Sequence, residues 1–589
     1  MGRARARDGA PDALHPQMVN EDIARAFEEV AELLAISGEN PFRIRAYQRA
    51  AQVIRTLPRP CTELADAKAL EQLPGIGADL ARKIQELLHT GTLRTLAQLR
   101  SRVPASLREL LTLPSLGPVR TRALHTLGVD SIADLRRALD HHRLEGLRGF
   151  GPVLRRKLCE ALDIRATAEP KRWLWSVAGQ YAEPLRAYLL AVPGVAGVEV
   201  CGSYRRGRDT VGDLDIVVCA PKKIALAEAL RGYPQVREIT AAGPTRCTLV
   251  LRSGVQVDLR LVPPQSVGAA IYYFTGSRDH NVQLRRRAAE RGMKLNEYGL
   301  FRGRRRIAGA SEQELLQALQ LPWIAPELRE QRGEIEAAER GELPRLLELR
   351  DLQGDLHVHT DASDGHATLA DMVTAARQSG LHYIAITDHA QHMGMVHGLD
   401  SGRLARQADG IDEINASLDG LRVLKGAEVD VLEDGKLALA DADLQRLEVV
   451  VIAIHSHFDL LPARQTTRLL RALERPNVAI LAHPTGRLLG EREGYRFDFA
   501  KILEALRARG GFLELNAQPQ RLDADDVLCR AAREHGVLIS IDSDAHSAVE
   551  LANLEGGVRQ ARRGWLRRKD VANTRSLSEL QTLLARCRG

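Results

Sequence analysis

The stretch from Cys201 to Val218 constrains this chain more than any other part of its sequence. Its second half reads Asp213-Leu214-Asp215-Ile216-Val217-Val218, and the β-branched run predicts a buried strand. Side chains alternate along a strand, so both carboxylates are expected to leave the same face. Two like charges held this close repel each other, and divalent cations, which prefer carboxylate oxygens together with substrate phosphates, would remove the repulsion.

The first half of the stretch supplies groups suited to phosphate. It reads Cys201-Gly202-Ser203-Tyr204-Arg205-Arg206-Gly207. A tight turn at Gly202 and Ser203 would expose backbone N–H groups, and the two arginines add guanidinium groups for phosphate oxygens. Phosphate donors next to metal-binding carboxylates are the components of a nucleotidyl-transfer site.

A third carboxylate completes this predicted site. The segment 255–262 alternates as a strand, and Asp258 has the inward parity of a neighbouring catalytic strand. A lone Asp-x-Asp is usually a loop or surface pair. The Gly-Ser turn, the strand and Asp258 together weigh against that interpretation, and three aspartates would hold two metal ions, one at a 3′-hydroxyl and one at a triphosphate.

These motifs resemble the family X DNA polymerases, the polymerase-beta-like branch of the nucleotidyltransferases. Tyr273-Phe274-Thr275-Gly276-Ser277 with Asn281 is similar to the family segment that packs on the incoming sugar and base, and Asn296-Glu297-Tyr298-Gly299 is similar to a later loop. Arg278 stands where polymerase beta carries an acid, so contacts to the incoming base are expected to differ.

The resemblance implies roles for individual residues. Asp213 and Asp215 would bind both of two Mg²⁺ or Mn²⁺ ions, and Asp258 the ion at the primer terminus. Ser203 and Arg206 would hold the β- and γ-phosphates of a dNTP. The implied nucleotide-binding residues are Gly202, Ser203, Arg206, Gly212, Tyr273, Phe274, Gly276 and Asn281.

A spaced repeat precedes this region. Each copy is an apolar residue, a glycine-containing hairpin and the start of a helix: Leu73-Pro74-Gly75-Ile76-Gly77, Leu113-Pro114-Ser115-Leu116-Gly117-Pro118 and Leu147-Arg148-Gly149-Phe150-Gly151-Pro152. Small residues let the backbone approach a ligand, and N–H groups at a helix start bind phosphate. The repeat resembles the helix-hairpin-helix element, which contacts DNA backbones without reading sequence. In the second copy Ser115 replaces the first glycine of the hairpin. The third copy could bind DNA or have a purely structural role. The predicted DNA-binding residues are Gly75, Gly77, Gly117, Gly149, Gly151 and Arg260.

Lys83 follows the first hairpin at an offset that resembles the Schiff-base lysine of polymerase-beta-like enzymes. A surface lysine is more often a solvated charge or a phosphate contact, and a nucleophile needs a lowered pKa. Asp79 stands where the family enzyme has another lysine. The alternatives for Lys83 are therefore a solvated charge, a phosphate contact, and the catalytic nucleophile of an abasic-site lyase.

The charge of the chain is divided between its two halves. Residues 1–350 carry a net charge of +13 and residues 351–589 carry −6. A basic front half fits a polyanion, and an acidic back half fits bound cations. Seven cysteines without C-x-x-C spacing indicate a reducing, cytoplasmic location. No apolar run reaches the roughly 20 residues of a membrane span, so we expect no membrane contact.

Twelve of the 18 histidines lie after residue 350. His357-x-His359 sits on a predicted strand, and the other polar motifs nearly all follow hydrophobic strands, with helical segments between. This alternation, with polar residues at the strand carboxyl ends, predicts a β/α barrel with a site at that mouth. Imidazole and carboxylate ligands on several strands suit a multinuclear site for Mn²⁺, Zn²⁺ or Fe.

This half resembles the PHP (polymerase and histidinol phosphatase) domain. The resemblance implies a metal-dependent phosphoesterase in which no ligand is substituted. The implied metal ligands are His357, His359, Asp364, His389, Glu428, His455, His483, Asp544 and His546.

The sequence as a whole predicts a multidomain, monomeric bacterial-type family X polymerase that fills short gaps in primed or gapped duplex DNA with dNTPs during repair. Its PHP domain is expected to be a 3′–5′ exonuclease, with nicking at abasic sites as an added possibility. The alternatives are a PHP domain that is only structural, a non-catalytic DNA-end tether, and a small-molecule phosphatase in the back half. The predicted domains are a disordered tail (1–19), an N-terminal helical DNA-binding domain (20–100), a second α-helical helix-hairpin-helix subdomain (101–165), an α+β nucleotidyltransferase palm (166–280), a C-terminal polymerase subdomain (281–340), a linker (341–353) and a distorted β/α barrel of the PHP type (354–589).

Overall fold

A computed structural model of the chain describes residues 18–57, 59–66, 69–111, 113, 116–145, 147, 149–164, 171–222, 224–390, 397–475 and 477–587. The chain divides into two compact units, Met1–Lys171 and Arg172–Gly589. The predicted tail up to residue 17 and the substitution at Ser115 lie outside the described residues. Val19, the last residue of the predicted tail, is buried at the start of the first helix.

The first unit is built from helices. An apolar stripe that includes Ile23, Phe27 and Val30 is buried along α1, and the side chain of Asn40 caps α2 by accepting a hydrogen bond from the Phe42 amide. The helices are α1 (Asn20–Ile36), α2 (Pro41–Thr56), α3 (Cys61–Asp66), α4 (Ala78–Thr90), α5 (Arg94–Arg102), α6 (Ala105–Leu110), α7 (Pro118–Thr126), α8 (Ile132–Asp140) and α9 (Pro152–Ile164).

The second unit opens with an α+β region. Its five-stranded sheet has the order β2-β4-β7-β6-β5, with β4 and β7 parallel and the other neighbours antiparallel. The elements are β1 (Trp173–Leu174), α10 (Trp175–Leu190), β2 (Gly197–Val200), α11 (Gly202–Arg205), β3 (Thr210–Val211), β4 (Asp213–Cys219), α12 (Leu226–Arg231), β5 (Val236–Ala242), β6 (Arg246–Leu251), β7 (Gln256–Val262) and α13 (Val267–Thr275).

A smaller subdomain follows, with a three-stranded antiparallel sheet of order β10-β9-β8. Its elements are α14 (Arg278–Glu290), β8 (Lys294–Asn296), β9 (Gly299–Arg302), β10 (Arg305–Ala308), α15 (Glu312–Ala318) and α16 (Glu334–Glu339). In the predicted linker, Leu347 and Leu352 are buried in the core of the region that comes next. The chain therefore passes between the two regions as packed structure.

The rest of the second unit is a parallel barrel. Seven strands pair in chain order from β11 to β17, and a bridge between Val358 and Ala545 joins the first strand to the segment after the last. The elements are β11 (Gly354–Val358), α17 (Leu369–Gln378), β12 (Tyr383–Ile386), α18 (Ser401–Ser417), β13 (Arg422–Asp430), α19 (Asp441–Leu444), β14 (Val449–Ala453), α20 (Pro462–Leu473), β15 (Val478–Leu481), α21 (Phe499–Arg509), β16 (Phe512–Asn516), α22 (Asp526–Glu534), β17 (Leu538–Asp542), α23 (Leu554–Arg563) and α24 (Leu577–Arg586).

The predicted fold class is confirmed: helical front, α+β palm and β/α barrel occur in the predicted order. β12, β14 and β15 are buried along their whole length, which is the pattern of strands covered on both faces. All seven cysteines are free thiols. Among the described residues, no helix is both long and apolar enough to cross a membrane.

Candidate functional site

The parallel pair β4 and β7 brings the three predicted aspartates to one place. Asp215 stands directly opposite Asp258, and Asp213 lies two residues earlier on the same face of β4. Burial raises the pKa of Asp215 to about 7, and the charges of Asp213 and Asp258 add to that rise. The pKa of Asp213 is raised for the same two reasons, burial and the charge of Asp258. This is the electrostatic strain that bound cations would relieve.

Asp258 has surroundings that keep it charged. Burial alone would raise its pKa, but hydrogen bonds from Thr248 Oγ1 (2.6 Å) and Gln256 Nε2 (2.9 Å) and the charge of Arg246 outweigh burial and lower it. The two facing aspartates therefore differ in pKa: that of Asp258 is lowered, whereas that of Asp215 is raised to about 7. Both fit hard cations, whose ligands are carboxylate oxygens.

The predicted phosphate-binding turn lies against this carboxylate pair. Gly202 has φ 62°, and a Cβ at this position would stand 2.4 Å from Asp215 Oδ2. Only glycine permits so close an approach. The short helix α11 then leads from Gly202 through the half-exposed Ser203 to the two arginines.

The two arginines after the turn have different partners. Arg205 pairs with Glu312 (2.7 Å) and Glu199 (2.8 Å) and has a structural role. Arg206 donates from Nε to Glu330 (3.0 Å) and from Nη1 to the Thr275 carbonyl. Arg206 is therefore held in one orientation by two protein acceptors.

The residues predicted for the sugar and base lie at the junction of α13 and α14. Asn281 Nδ2 donates to the Tyr273 carbonyl (2.7 Å), and the Arg260 guanidinium lies 5.2 Å from the centre of the Phe274 ring. Gly276 has φ 73°, with Arg206 Nη1 3.1 Å from the position of an added Cβ. Gly212 lies directly before β4, next to Arg172.

A small cleft lies beside these residues, and it is lined by an arginine that sequence reasoning missed. Arg285 lines the cleft with Tyr273, Asn281 and Asn296. It follows Asn281 by four residues on α14, so helical spacing was the signal that could have found it.

The five hairpin glycines are all exposed. Gly77 and Gly117 precede the first turns of α4 and α7, and neither helix has a side-chain cap. An added Cβ at Gly77, Gly117 or Gly151 would meet no atom within 4 Å, while Gly75 and Gly149 have positive φ. Uncapped helix starts behind exposed glycines leave backbone N–H groups open to a phosphate.

The surroundings of Lys83 stabilise its protonated form. Its ammonium group pairs with Asp79 one helical turn earlier and lies 5.2 Å from the centre of the Tyr47 ring. Burial alone would lower the pKa of Lys83, but the contacts with Asp79 and Tyr47 outweigh burial and raise it. The raised pKa keeps the amine protonated near neutral pH, whereas a nucleophilic amine must be unprotonated, and lyase activity at Lys83 stays a prediction.

The barrel gathers all nine predicted ligands at the carboxyl ends of its strands. Three groups of side chains have ligand atoms within 4.8 Å of one another: His359, Asp364, His389 and His546; His357, His359 and Asp544; and His389, Glu428 and His455. His483 joins them through Nε2, 3.0 Å from Glu428 Oε1. Within the described residues no other groups meet this distance, and the three palm aspartates stand farther apart.

Orphaned nitrogen atoms show that this cluster fits metal ions. His357 Nε2, both ring nitrogens of His359 and His483 Nδ1 are buried without a hydrogen-bond partner. Such atoms are costly in a protein interior unless something binds them. Burial and the charge of Arg521 lower the pKa of His483 to about 4, which keeps it neutral as a metal ligand must be.

Sequence reasoning missed the groups that orient these ligands. Glu514 on β16 lies 2.6 Å from His357 Nδ1, and Asp430 lies 2.5 Å from His455 Nδ1. Asn516 Nδ2 donates to Asp544 (2.9 Å). Carboxylates that hold the second nitrogen of a metal-binding histidine are typical of metal sites. A carboxylate near the end of a barrel strand, as in Glu514, was the available signal.

Comparisons with known proteins agree with this division of the chain. Residues 179–236 match the DNA polymerase beta palm and residues 270–330 the DNA polymerase beta thumb. Residues 18–93 match a helix-hairpin-helix domain, residues 107–163 a SAM-like helix-hairpin-helix tandem, and residues 355–518 a PHP domain.

Individual relatives cover the whole chain or its back half. The chain is 36% identical to the DNA polymerase/3′-5′ exonuclease PolX of Bacillus subtilis over 574 residues, which span 97% of this chain and all of that protein. A probable phosphatase of Syntrophotalea carbinolica is 31% identical over 34% of this chain and 82% of its own length. A probable phosphatase of a Thermoanaerobacter species is 29% identical over 37% of this chain and 89% of its own length.

We predict that Gly202→Ala abolishes primer extension. The new methyl group would force the turn away from Asp215, because its Cβ cannot stand 2.4 Å from a carboxylate oxygen. Extension with Mg²⁺ and binding to gapped duplex are the two measurements, and binding should persist. The matched control is Gly197→Ala on β2, where the Cβ would lie 3.8 Å from Cys219 Cβ. Equal extension by both variants would contradict the prediction.

We also predict little borohydride-trapped adduct between the native protein and abasic DNA near neutral pH, and more from Asp79→Ala. Removing Asp79 removes a hydrogen bond and a charge that raise the pKa of Lys83, so a larger fraction of the amine is unprotonated. The adduct is quantified on a denaturing gel. Lys83→Ala in the Asp79→Ala background should lose it, and an adduct that survives this double change would place the nucleophile elsewhere.

Proposed function

This chain belongs to the family X DNA polymerases that carry a C-terminal PHP domain, and on that basis we propose that it extends a primer 3′ end in gapped duplex and trims that end with its barrel. Membership rests on the match to PolX of Bacillus subtilis, which covers both chains almost completely. The observation that supports two activities is the presence of two separate sites with intact metal-binding groups on one chain.

The first reaction is attack of the primer 3′-hydroxyl on the α-phosphate of a dNTP, with release of pyrophosphate. Mg²⁺ or Mn²⁺ would lower the pKa of the hydroxyl and neutralise the triphosphate. Asp213 and Asp215 would hold both ions, and Asp258 the one at the primer end. Its lowered pKa keeps Asp258 ionised for that role.

The chain's own donors would position the nucleotide. Ser203 and Arg206 would bind the β- and γ-phosphates, and Tyr273, Phe274 and Asn281 would line the sugar and minor-groove side. The fixed orientation of Arg206 supports its assignment, because a preorganised guanidinium pays less entropy when it binds phosphate.

The second reaction is hydrolysis of the last phosphodiester at a DNA 3′ end. Mn²⁺, Zn²⁺ or Fe in the barrel would supply Lewis acidity to activate water and to stabilise the leaving oxygen. The nine predicted ligands would hold the ions, with Glu514 and Asp430 orienting His357 and His455. The name of the Bacillus subtilis relative includes this activity, and the orphaned buried nitrogens weigh against a purely structural barrel.

The other parts of the proposal follow from DNA as substrate. The proposed ligands are gapped or primed duplex DNA and dNTPs, and the hairpin glycines are the proposed contacts with the DNA backbone. The protein is proposed to work as a monomer in the cytoplasm. A small-molecule phosphatase is the second candidate, since two barrel relatives are named probable phosphatases. Comparing phosphomonoesters with oligonucleotides as substrates separates these two candidates.

We predict that the two activities can be removed one at a time. Asp213→Ala should abolish extension and spare degradation of a mispaired 3′ end with Mn²⁺. His357→Ala combined with His359→Ala should do the reverse, because the ligand sets share no residue. Gel assays on 5′-labelled primers measure both. Degradation by the double histidine variant at the native rate would refute the exonuclease assignment.

We predict that DNA binding depends steeply on salt and little on sequence. Gly75→Val should weaken binding to gapped duplex uniformly, because valine at φ 62° is strained and would displace the hairpin N–H groups. Titrations at several salt concentrations with two unrelated sequences provide the measurement. Gly380→Val, at an exposed turn of the barrel with positive φ, is the matched control. Salt-independent binding would contradict this interpretation.

A further inference from the structure

A helix of the barrel lies against the segment that follows the phosphate-binding turn of the palm. The Arg559 side chain of α23 packs on Gly207, where an added Cβ would stand 2.6 Å from Arg559 Cγ. Its guanidinium also covers the Trp175 ring at 3.5 Å. Trp175 in turn donates from Nε1 to the carbonyl of Tyr204 (2.9 Å). The segment from Tyr204 to Gly207, which follows the turn, thus contacts both its own domain and the barrel.

Arg563, at the end of the same helix, reaches the residue proposed to bind the triphosphate. Its Nη1 donates to the Arg206 carbonyl (2.8 Å) and to Glu330 Oε1 (2.9 Å), and its Nη2 donates to Asp526 (2.6 Å). The same oxygen of Glu330 accepts from Arg206 Nε. Arg563 is only 2% exposed, so these bonds form away from competing water.

The network leaves one end of Arg206 available. Glu330 holds Nε and the Thr275 carbonyl holds Nη1. Among the described residues no hydrogen bond engages Nη2. A guanidinium fixed at two nitrogens presents the third in a defined direction, which suits a phosphate oxygen.

The barrel side of the network is itself anchored. Asp526 on α22 accepts hydrogen bonds from both Arg563 and Arg332 (2.9 Å). Burial alone would raise the pKa of Asp526, but the two arginines outweigh burial and lower it. Trp565, just after α23, is buried in the hydrophobic core of the subdomain that contains α14 and α15. Apolar and charged contacts together make this interface a fixed part of the second unit.

We propose that Arg563 of the barrel is a positioning residue for the polymerase reaction, which orients Arg206 toward the dNTP triphosphate through Glu330. The inference rests on the proposed function of Arg206. It makes the barrel part of the nucleotide-binding site, in addition to its own hydrolytic role. Loss of Arg563 removes the hydrogen bonds that fix Glu330 Oε1 and the Arg206 carbonyl, so Arg206 keeps its charge but is held less firmly.

The test uses the full-length protein and steady-state extension of a gapped duplex by one dNTP. Arg563→Met should raise the KM for dNTP about tenfold with a smaller change in kcat, because a positioning residue contributes mainly to nucleotide binding. Arg562→Met is the matched control, since Arg562 lies on the same helix and the same interface but pairs with Glu327 and the Leu347 carbonyl. Its KM should stay within about twofold of the native value, and 3′-end degradation should be unchanged in both variants.

A double variant separates this inference from the proposed function. In the Arg206→Met background, Arg563→Met should raise KM no further, because both changes remove the same contact. Three outcomes would overturn the role of Arg563: additive increases in KM in the double variant, equal KM changes in the Arg562 and Arg563 variants, or a loss of 3′-end degradation that accompanies the change in KM. An unchanged KM in Arg206→Met alone would instead overturn the role of Arg206. If Arg563→Met does not fold, Glu330→Gln replaces it, and an unchanged KM there overturns the inference.

Discussion

Repulsion among carboxylates that the backbone holds together is the constraint on which both catalytic regions depend. In the palm, β4 and β7 place Asp213, Asp215 and Asp258 on one face, and burial together with the charges of the other two aspartates raises the pKa of Asp215 to about 7. In the barrel, histidines surround the acids, and despite burial they lower the pKa values of Asp364 and Asp544. The palm therefore suits hard cations that arrive with substrate phosphates, and the barrel suits resident metals bound by imidazole and carboxylate together.

The contact between palm and barrel makes these two regions one structure. Arg563 joins Arg206, Glu330 and Asp526, and Trp565 of the barrel lies in the core of the neighbouring subdomain. Buried ion pairs are costly unless every partner is satisfied, and here each guanidinium finds several acceptors. Such a network resists rearrangement, so the barrel is a structural support of the polymerase region as well as a separate site.

Much of this arrangement was open to prediction because its signals are local. The two-residue spacing of Asp213 and Asp215 on a β-branched strand fixes their common face, and the parity of Asp258 places it opposite. The barrel ligands follow hydrophobic strands, and parallel strands bring their carboxyl ends to one mouth. Resemblance to known families added the identities of the ligands. The structure places eight of them in three overlapping groups, and His483 joins through Glu428.

The sequence by itself therefore determined the fold class, and it predicted the residues that the structure brings together at the two proposed sites. Only the tertiary structure decided what surrounds them: that Arg206 is held by Glu330, that Glu514 orients His357, that the pKa of Lys83 is raised, and that Leu347 and Leu352 are buried. The physical reason is the distance along the chain over which each kind of interaction acts. Strand and helix periodicity acts between near neighbours in the chain, whereas partners such as Arg206 and Arg563 meet only when distant segments pack, and a pKa depends on all the charges and burial that this packing creates.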